Sequence, residues 1–70
     1  MERHNLYVFR CDKKLKQEEM AQMCGVSRAT YSFIERGKRG GSQRFWNKLQ
    51  EVFGLTDEKA RQLQKLSESA

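Results

Sequence analysis

The chain has no proline, a single histidine, two cysteines and no long apolar run. Each scarcity removes a class of protein. Crossing a bilayer takes roughly 18 or more consecutive apolar residues, and nothing here approaches that. Residues 1–9 include Arg3 but lack the apolar stretch and small-residue cleavage site of a secretory signal, so a cytoplasmic location is expected. Cys11 and Cys24 lie thirteen positions apart with His4 distant from both, which fits neither paired zinc-ligand spacing nor a disulfide framework. Reduced thiols, no metal and no cofactor are expected. The acids offer no catalytic pair either. Glu18 and Glu19 are adjacent, and neighbours on a helix point about 100° apart. No nucleophile, base and metal set can be assembled, so the sequence does not read as an enzyme.

What remains is a basic, charged and moderately apolar chain of 70 residues, with 37% hydrophobic and 33% charged positions and a net charge of +5. That composition suits one small globular domain over 1–70, which would bury only about 60% of the surface its unfolded form exposes. The charge is unevenly spread. Between 27 and 44 stand Arg28, Arg36, Lys38, Arg39 and Arg44 against Glu35 alone, whereas the residues after Arg44 carry no net charge. A basic face of this kind favours a polyanionic partner. The lysines Lys13, Lys14 and Lys16 read as a solvated basic surface.

With no proline, glycine supplies the punctuation: Gly25, Gly37, Gly40, Gly41 and Gly54. The pieces between them have helical lengths. Residues 6–15 contain the apolar block Leu6, Tyr7, Val8 and Phe9, which suits a strand or a helix, but no partner strand is evident and a helix with Leu6 and Phe9 inward is preferred. A second helix begins near Gln17, carries Glu18 and Glu19 in its first turn and buries Met20, Ala21 and Cys24. Ser27 caps a third with Tyr31 and Ile34 inward, and Ser42 caps a fourth bearing Phe45, Trp46, Leu49, Val52 and Phe53 as the centre of the core. Thr56, Asp57 and Glu58 open a last helix with Ala60, Leu63 and Leu66. The expectation is an all-α, compact five-helix fold.

Helices two and three are short and joined by a tight turn. A steep crossing needs a small residue at the contact and a turn that tolerates left-handed backbone, and Ala21 and Gly25 supply these. The segment QEEMAQMCGVSRATYSFIERGK resembles the helix-turn-helix regulators of the phage repressor and Cro family, also called the xenobiotic-response-element family. The resemblance spans about 6–55. It rests on Gln17, Ala21, Gly25, Ser27, Ile34, Glu35 and Gly37 together, and on Arg10, which in that family pairs with the glutamate that Glu35 represents. Phe33 is the chief departure within the motif; in addition Lys14 and Lys16 replace a frequent glycine and hydroxyl cap, and Gly40 with Gly41 replaces a common proline, which predicts a mobile loop after Gly37.

The resemblance implies a lambda-repressor-like fold in which helix 27–36 enters the major groove of double-stranded DNA. With Tyr31 and Ile34 facing inward, Arg28, Ala29, Ser32, Phe33 and Arg36 lie outward. Arg28, Ala29, Ser32 and Phe33 are the candidates for reading bases, Arg28 through guanine and Ala29 through a thymine methyl. Gln17, Arg36, Lys38, Arg39 and Arg44 are the candidates for phosphate contact. Arg10, Glu35, Ala21 and Gly25 are structural. The implied function is a sequence-specific transcriptional regulator, a repressor that binds a two-fold operator as a homodimer. The rival reading keeps the fold but uses Phe33 and the last helix to dock a protein, in the manner of an antitoxin or coactivator. Leu63 and Leu66 could complete the core of one chain or form a seam between two.

Overall fold

A computed structural model describes residues 2–66 as five α-helices: α1 His4–Asp12, α2 Gln17–Met23, α3 Arg28–Glu35, α4 Gln43–Phe53 and α5 Asp57–Gln64. No strand occurs among the described residues. The apolar block near the start is helical because its members divide by face. Leu6 and Phe9 enter the core, while Tyr7 and Val8 remain exposed. One core holds the helices together, built from Leu6, Phe9, Met20, Ala21, Cys24, Tyr31, Ile34, Phe45, Trp46, Leu49 and Leu63.

The ends of the helices follow from local chemistry. Ser27, Ser42 and Thr56 each accept a hydrogen bond from the backbone N–H three residues on, at 3.1 Å in every case. Lys16 has no side-chain acceptor, so α2 keeps half of that arrangement: the Glu19 carboxylate accepts from the Lys16 N–H at 2.9 Å. Four helices close with the same C-terminal double hydrogen bond, as when Gly25 N–H donates to Gln22 and Val26 N–H to Ala21. The residue at the bend is Gly25, Gly37 or Gly54 in three of them; in α1 it is Lys14, at φ +58°.

Two sequence expectations for the C-terminal half need correction. Val52 is 38% exposed, because the last turn of α4 instead aims Phe53 at Phe9, ring edge to ring face with centroids 5.1 Å apart. Leu66 lies outside α5, exposed, since the helix ends at Gln64 and Lys65 turns to extended backbone. Side chains from the start of the chain occupy the carbonyls of that end, Arg3 on Gln64 and Asn5 on Gln62. Leu63 is buried within its own chain. The part of the expected last helix over 67–70 lies outside the described residues.

Candidate nucleic-acid interface

The helix-turn-helix is α2, the turn through Gly25, and α3. Gly25 adopts φ +73°, and a Cβ built on it would meet nothing within 4 Å. Its contribution is therefore the left-handed turn, which costs a residue with a side chain roughly 1–2 kcal/mol, and closeness of packing falls to Ala21, which is buried.

Burial divides α3 cleanly. Tyr31, Ile34 and Glu35 are buried; Arg28, Ala29 and Arg36 are exposed, and Ser32 and Phe33 half-buried. The outer row is thus continuous along the helix. Phe33 is not a bare aromatic ridge: the Arg36 and Arg39 guanidiniums sit 5.5 and 5.2 Å from its ring centroid. Lys38, Arg39 and Arg44 are all exposed. Arg44 stands apart from the Phe33 cluster, on an open groove between the α2–α3 turn at Gly25 and the first turns of α4.

Behind this surface lies a buried polar knot. Arg10 donates through Nε to Glu35 Oε2 at 2.8 Å and through a terminal nitrogen to Oε1 at 3.2 Å, and its other terminal nitrogen reaches the Leu15 carbonyl at 2.9 Å. Gln17 Nε2 adds a hydrogen bond to Glu35 Oε1 at 3.1 Å. The side chain suggested for phosphate contact is therefore also joined to the pair that fixes α1 against α3. Burial alone would push the Glu35 carboxyl up, but the hydrogen bonds from Arg10 and Gln17, with the neighbouring Tyr31 hydroxyl, outweigh it and hold the group below the usual carboxylate range. Arg10 is shifted the opposite way, raised by its hydrogen bond to Glu35. The Tyr31 hydroxyl is buried with no partner in hydrogen-bonding geometry among the described residues, and burial first, then the Glu35 carboxylate, push its pKa up. Burial likewise raises the Cys24 thiol to about 11, so it is a protonated core group.

Sequence reasoning missed Arg3. It is 6% exposed, its side chain donates to the carbonyls of Gln64, Ile34, Arg39 and Gly40, and its guanidinium lies 5.4 Å from the Trp46 ring centroid. Backbone carbonyls occur at every position, so this set of partners leaves no motif. Arg3 also bears on the loop after Gly37, which was expected to be mobile. In the structure the loop is tied: Trp46 Nε1 donates to the Gly40 carbonyl at 3.0 Å, beside the Arg3 bonds. Gly41 fits under the indole at φ +76°, where a Cβ would come within 2.9 Å of Trp46 Nε1. Gly41 serves close packing, whereas a Cβ at Gly40 would meet nothing within 4 Å and that residue takes part through its carbonyl.

Among the described residues no cluster of three or more His, Cys, Asp or Glu could hold a metal, and no helix is long and apolar enough to cross a membrane. Two short helices about a glycine turn, the second exposing a polar and basic face, define a helix-turn-helix module of the lambda-repressor-like fold. The helix-turn-helix family profile matches residues 6–59, and the chain belongs to that family, in its Cro/C1-type branch. Its members are DNA-binding regulators. No curated protein and no solved structure matches the chain.

Proposed function

We propose that this protein is a sequence-specific transcriptional repressor of phage-repressor type, a single domain over 1–70 that lays α3 in the major groove of a two-fold operator. The observation that supports this best is the outer row of α3, where Arg28 and Ala29 stand exposed one step past the Ser27 cap with Ser32 one turn further on. Residues at that end of a recognition helix meet base edges. The Arg28 guanidinium pairs with guanine O6 and N7, worth about 1–3 kcal/mol of discrimination, and Ala29 meets a thymine methyl. Ser32 and the uncovered part of Phe33 complete the reading surface. Gln17, Arg36, Lys38, Arg39 and Arg44 bind phosphates and release counterions, which adds affinity without sequence information.

Repression follows from occupancy of a promoter. The protein acts in the cytoplasm, without cofactor or catalytic chemistry, as a homodimer on DNA. The rival protein-docking role for Phe33 is less well supported, because part of its ring is already engaged by two guanidiniums.

Selection of binding sequences from random duplex DNA, followed by titration at several salt concentrations, tests the reading. A two-fold consensus is expected. Arg28→Ala should relax preference at one base pair per half-site, whereas Arg39→Ala should weaken all sequences alike and lower the salt slope by about one per subunit. Enrichment of no sequence would overturn the function. Sedimentation with and without the selected duplex checks the dimer.

A further inference from the structure

We propose that Arg3 is a positioning residue for DNA binding: it touches no DNA, yet it sets the loop after α3 so that Arg39 is held ready for phosphate before DNA arrives. The inference rests on the reading of α3 and its loop given above. Arg3 is well placed for the task, since it is itself fixed. Its backbone N–H donates to the Glu35 carbonyl at 2.8 Å, its Nε to Gln64 at 2.8 Å, and one terminal nitrogen to Ile34 at 2.7 Å. The start of the chain is thereby stitched to the ends of both α3 and α5.

From that anchorage the guanidinium reaches the loop. It donates to the Arg39 carbonyl at 2.9 Å and the Gly40 carbonyl at 3.4 Å. On the other side of residue 39, its N–H donates to the Phe33 carbonyl at 3.3 Å, beside the stronger bond from Lys38 at 2.8 Å. The peptide groups on both sides of the Arg39 Cα are therefore engaged, one by α3 and one by Arg3. The Gly40 carbonyl also receives Trp46 Nε1, and Arg3 stacks on that same indole. The outcome shows at the surface, where the Arg39 side chain lies over Phe33 beside that of Arg36. Two cations are brought to one edge of the recognition helix, and their mutual repulsion is offset by a shared aromatic face and a fixed backbone.

Pre-ordering a loop lowers the entropy lost on binding, which for one rotamer-rich side chain amounts to about 0.5–1.5 kcal/mol, or roughly 2–13-fold in affinity. Arg3→Lys keeps the charge but gathers its donors on one nitrogen, which cannot serve carbonyls spread over Gln64, Ile34, Arg39 and Gly40. Heteronuclear relaxation of the DNA-free protein reads the loop directly. In the wild type, the amides of 38–41 should be as ordered as those of α3 and α4; in Arg3→Lys they should gain fast motion. Titration with a mixed-sequence duplex should then show affinity lowered about 3–10-fold by Arg3→Lys in the wild-type background and less than about 2-fold in an Arg39→Ala background.

Equal losses in the two backgrounds would show that Arg3 acts through the fold at large, and would overturn the proposal. So would a wild-type loop as mobile as a chain terminus, a result that needs no variant and stands even where Arg3→Lys fails to fold. Wild-type protein that binds no duplex overturns the DNA reading and this inference together, whereas DNA binding with an unaltered loop in Arg3→Lys overturns this inference alone.

Discussion

Two arginines at the start of the chain brace α3 by different chemistry. Arg10 meets a carboxylate: it grips Glu35 through two nitrogens and has one more bond to the Leu15 carbonyl. Among the described residues Arg3 meets carbonyl dipoles and an indole face. The electrostatic signatures diverge accordingly. The pKa of Arg10 is raised by its anionic partner, and that of Arg3 is lowered by burial. A charge-paired brace draws its strength from one partner and is lost when that partner is removed. A brace made of dipoles is spread over four carbonyls on three segments, and its effect is to set backbone geometry. Arg10 thus secures the crossing of α1 and α3 and the turn into α2, while Arg3 secures the loop that carries the basic residues.

The comparison is broken most severely at the ion pair. Arg10→Met leaves the buried Glu35 charge without its cation and with only the Gln17 hydrogen bond to offset burial, and should lower the free energy of unfolding by about 3 kcal/mol in urea denaturation. Replacing both partners with apolar residues of similar size should restore much of the loss. A single-variant loss below about 1 kcal/mol would mean that Glu35 finds other partners.

On the loop side, Gly41→Ala puts a methyl against the Trp46 indole at a left-handed backbone position, and should cost about 2 kcal/mol with loss of order confined to 38–42. Thermal melts and amide relaxation check both parts. Equal stability would mean that the loop packs loosely and that the Arg3 brace is weaker than its geometry indicates.

Acid separates the two braces without mutation. The Glu35 carboxyl is depressed below its ordinary value of 4.5 by its hydrogen bonds, so the stability it confers is complete above that value and is lost as pH falls through the folded pKa. Arg3 has no titrating partner among the described residues and should be indifferent over the same range. Urea midpoints followed from about pH 7 to about pH 2 should fall more steeply for the wild type than for Glu35→Gln, with the two curves converging at the acid end. Parallel curves would place the acid sensitivity elsewhere.

The smallest effect concerns the turn that Arg10 holds. Lys14 occupies the left-handed position that glycine fills at the ends of α2, α3 and α4. Lys14→Gly should raise stability by up to about 1 kcal/mol, the relief of backbone strain being partly offset by greater freedom of the unfolded chain. A drop in melting temperature would show that the lysine side chain contributes more than the strain costs.

How much of this was legible depended on how local each signal was. The capping oxygens of Ser27, Ser42 and Thr56, the turn at Gly25 and the inward spacing of Tyr31 and Ile34 are written within a few residues of where they act, and the structure places all of them as read. Arg10 and Glu35 lie far apart in sequence, and only the family resemblance joined them. Misreadings arose where a distant group intervened. Val52 lost its place in the core to the Phe53–Phe9 contact, Leu66 was left outside when α5 ended under side chains from the opposite end of the chain, and Gly40 and Gly41 read as slack because neither the indole over Gly41 nor the donors to the Gly40 carbonyl were in view.

By itself, then, the sequence determined an all-α chain of five helices, the family, and the outer row of α3, because periodicity, caps and glycine turns are properties of short segments. Tertiary structure alone decided that Gln17 joins the Arg10 and Glu35 pair, that Phe33 carries two guanidiniums, and that Arg3 reaches the loop carbonyls of Arg39 and Gly40. These contacts join side chains to ring faces and to backbone carbonyls far along the chain. A carbonyl has no letter in the sequence, and its position is fixed only when the helices close on their core.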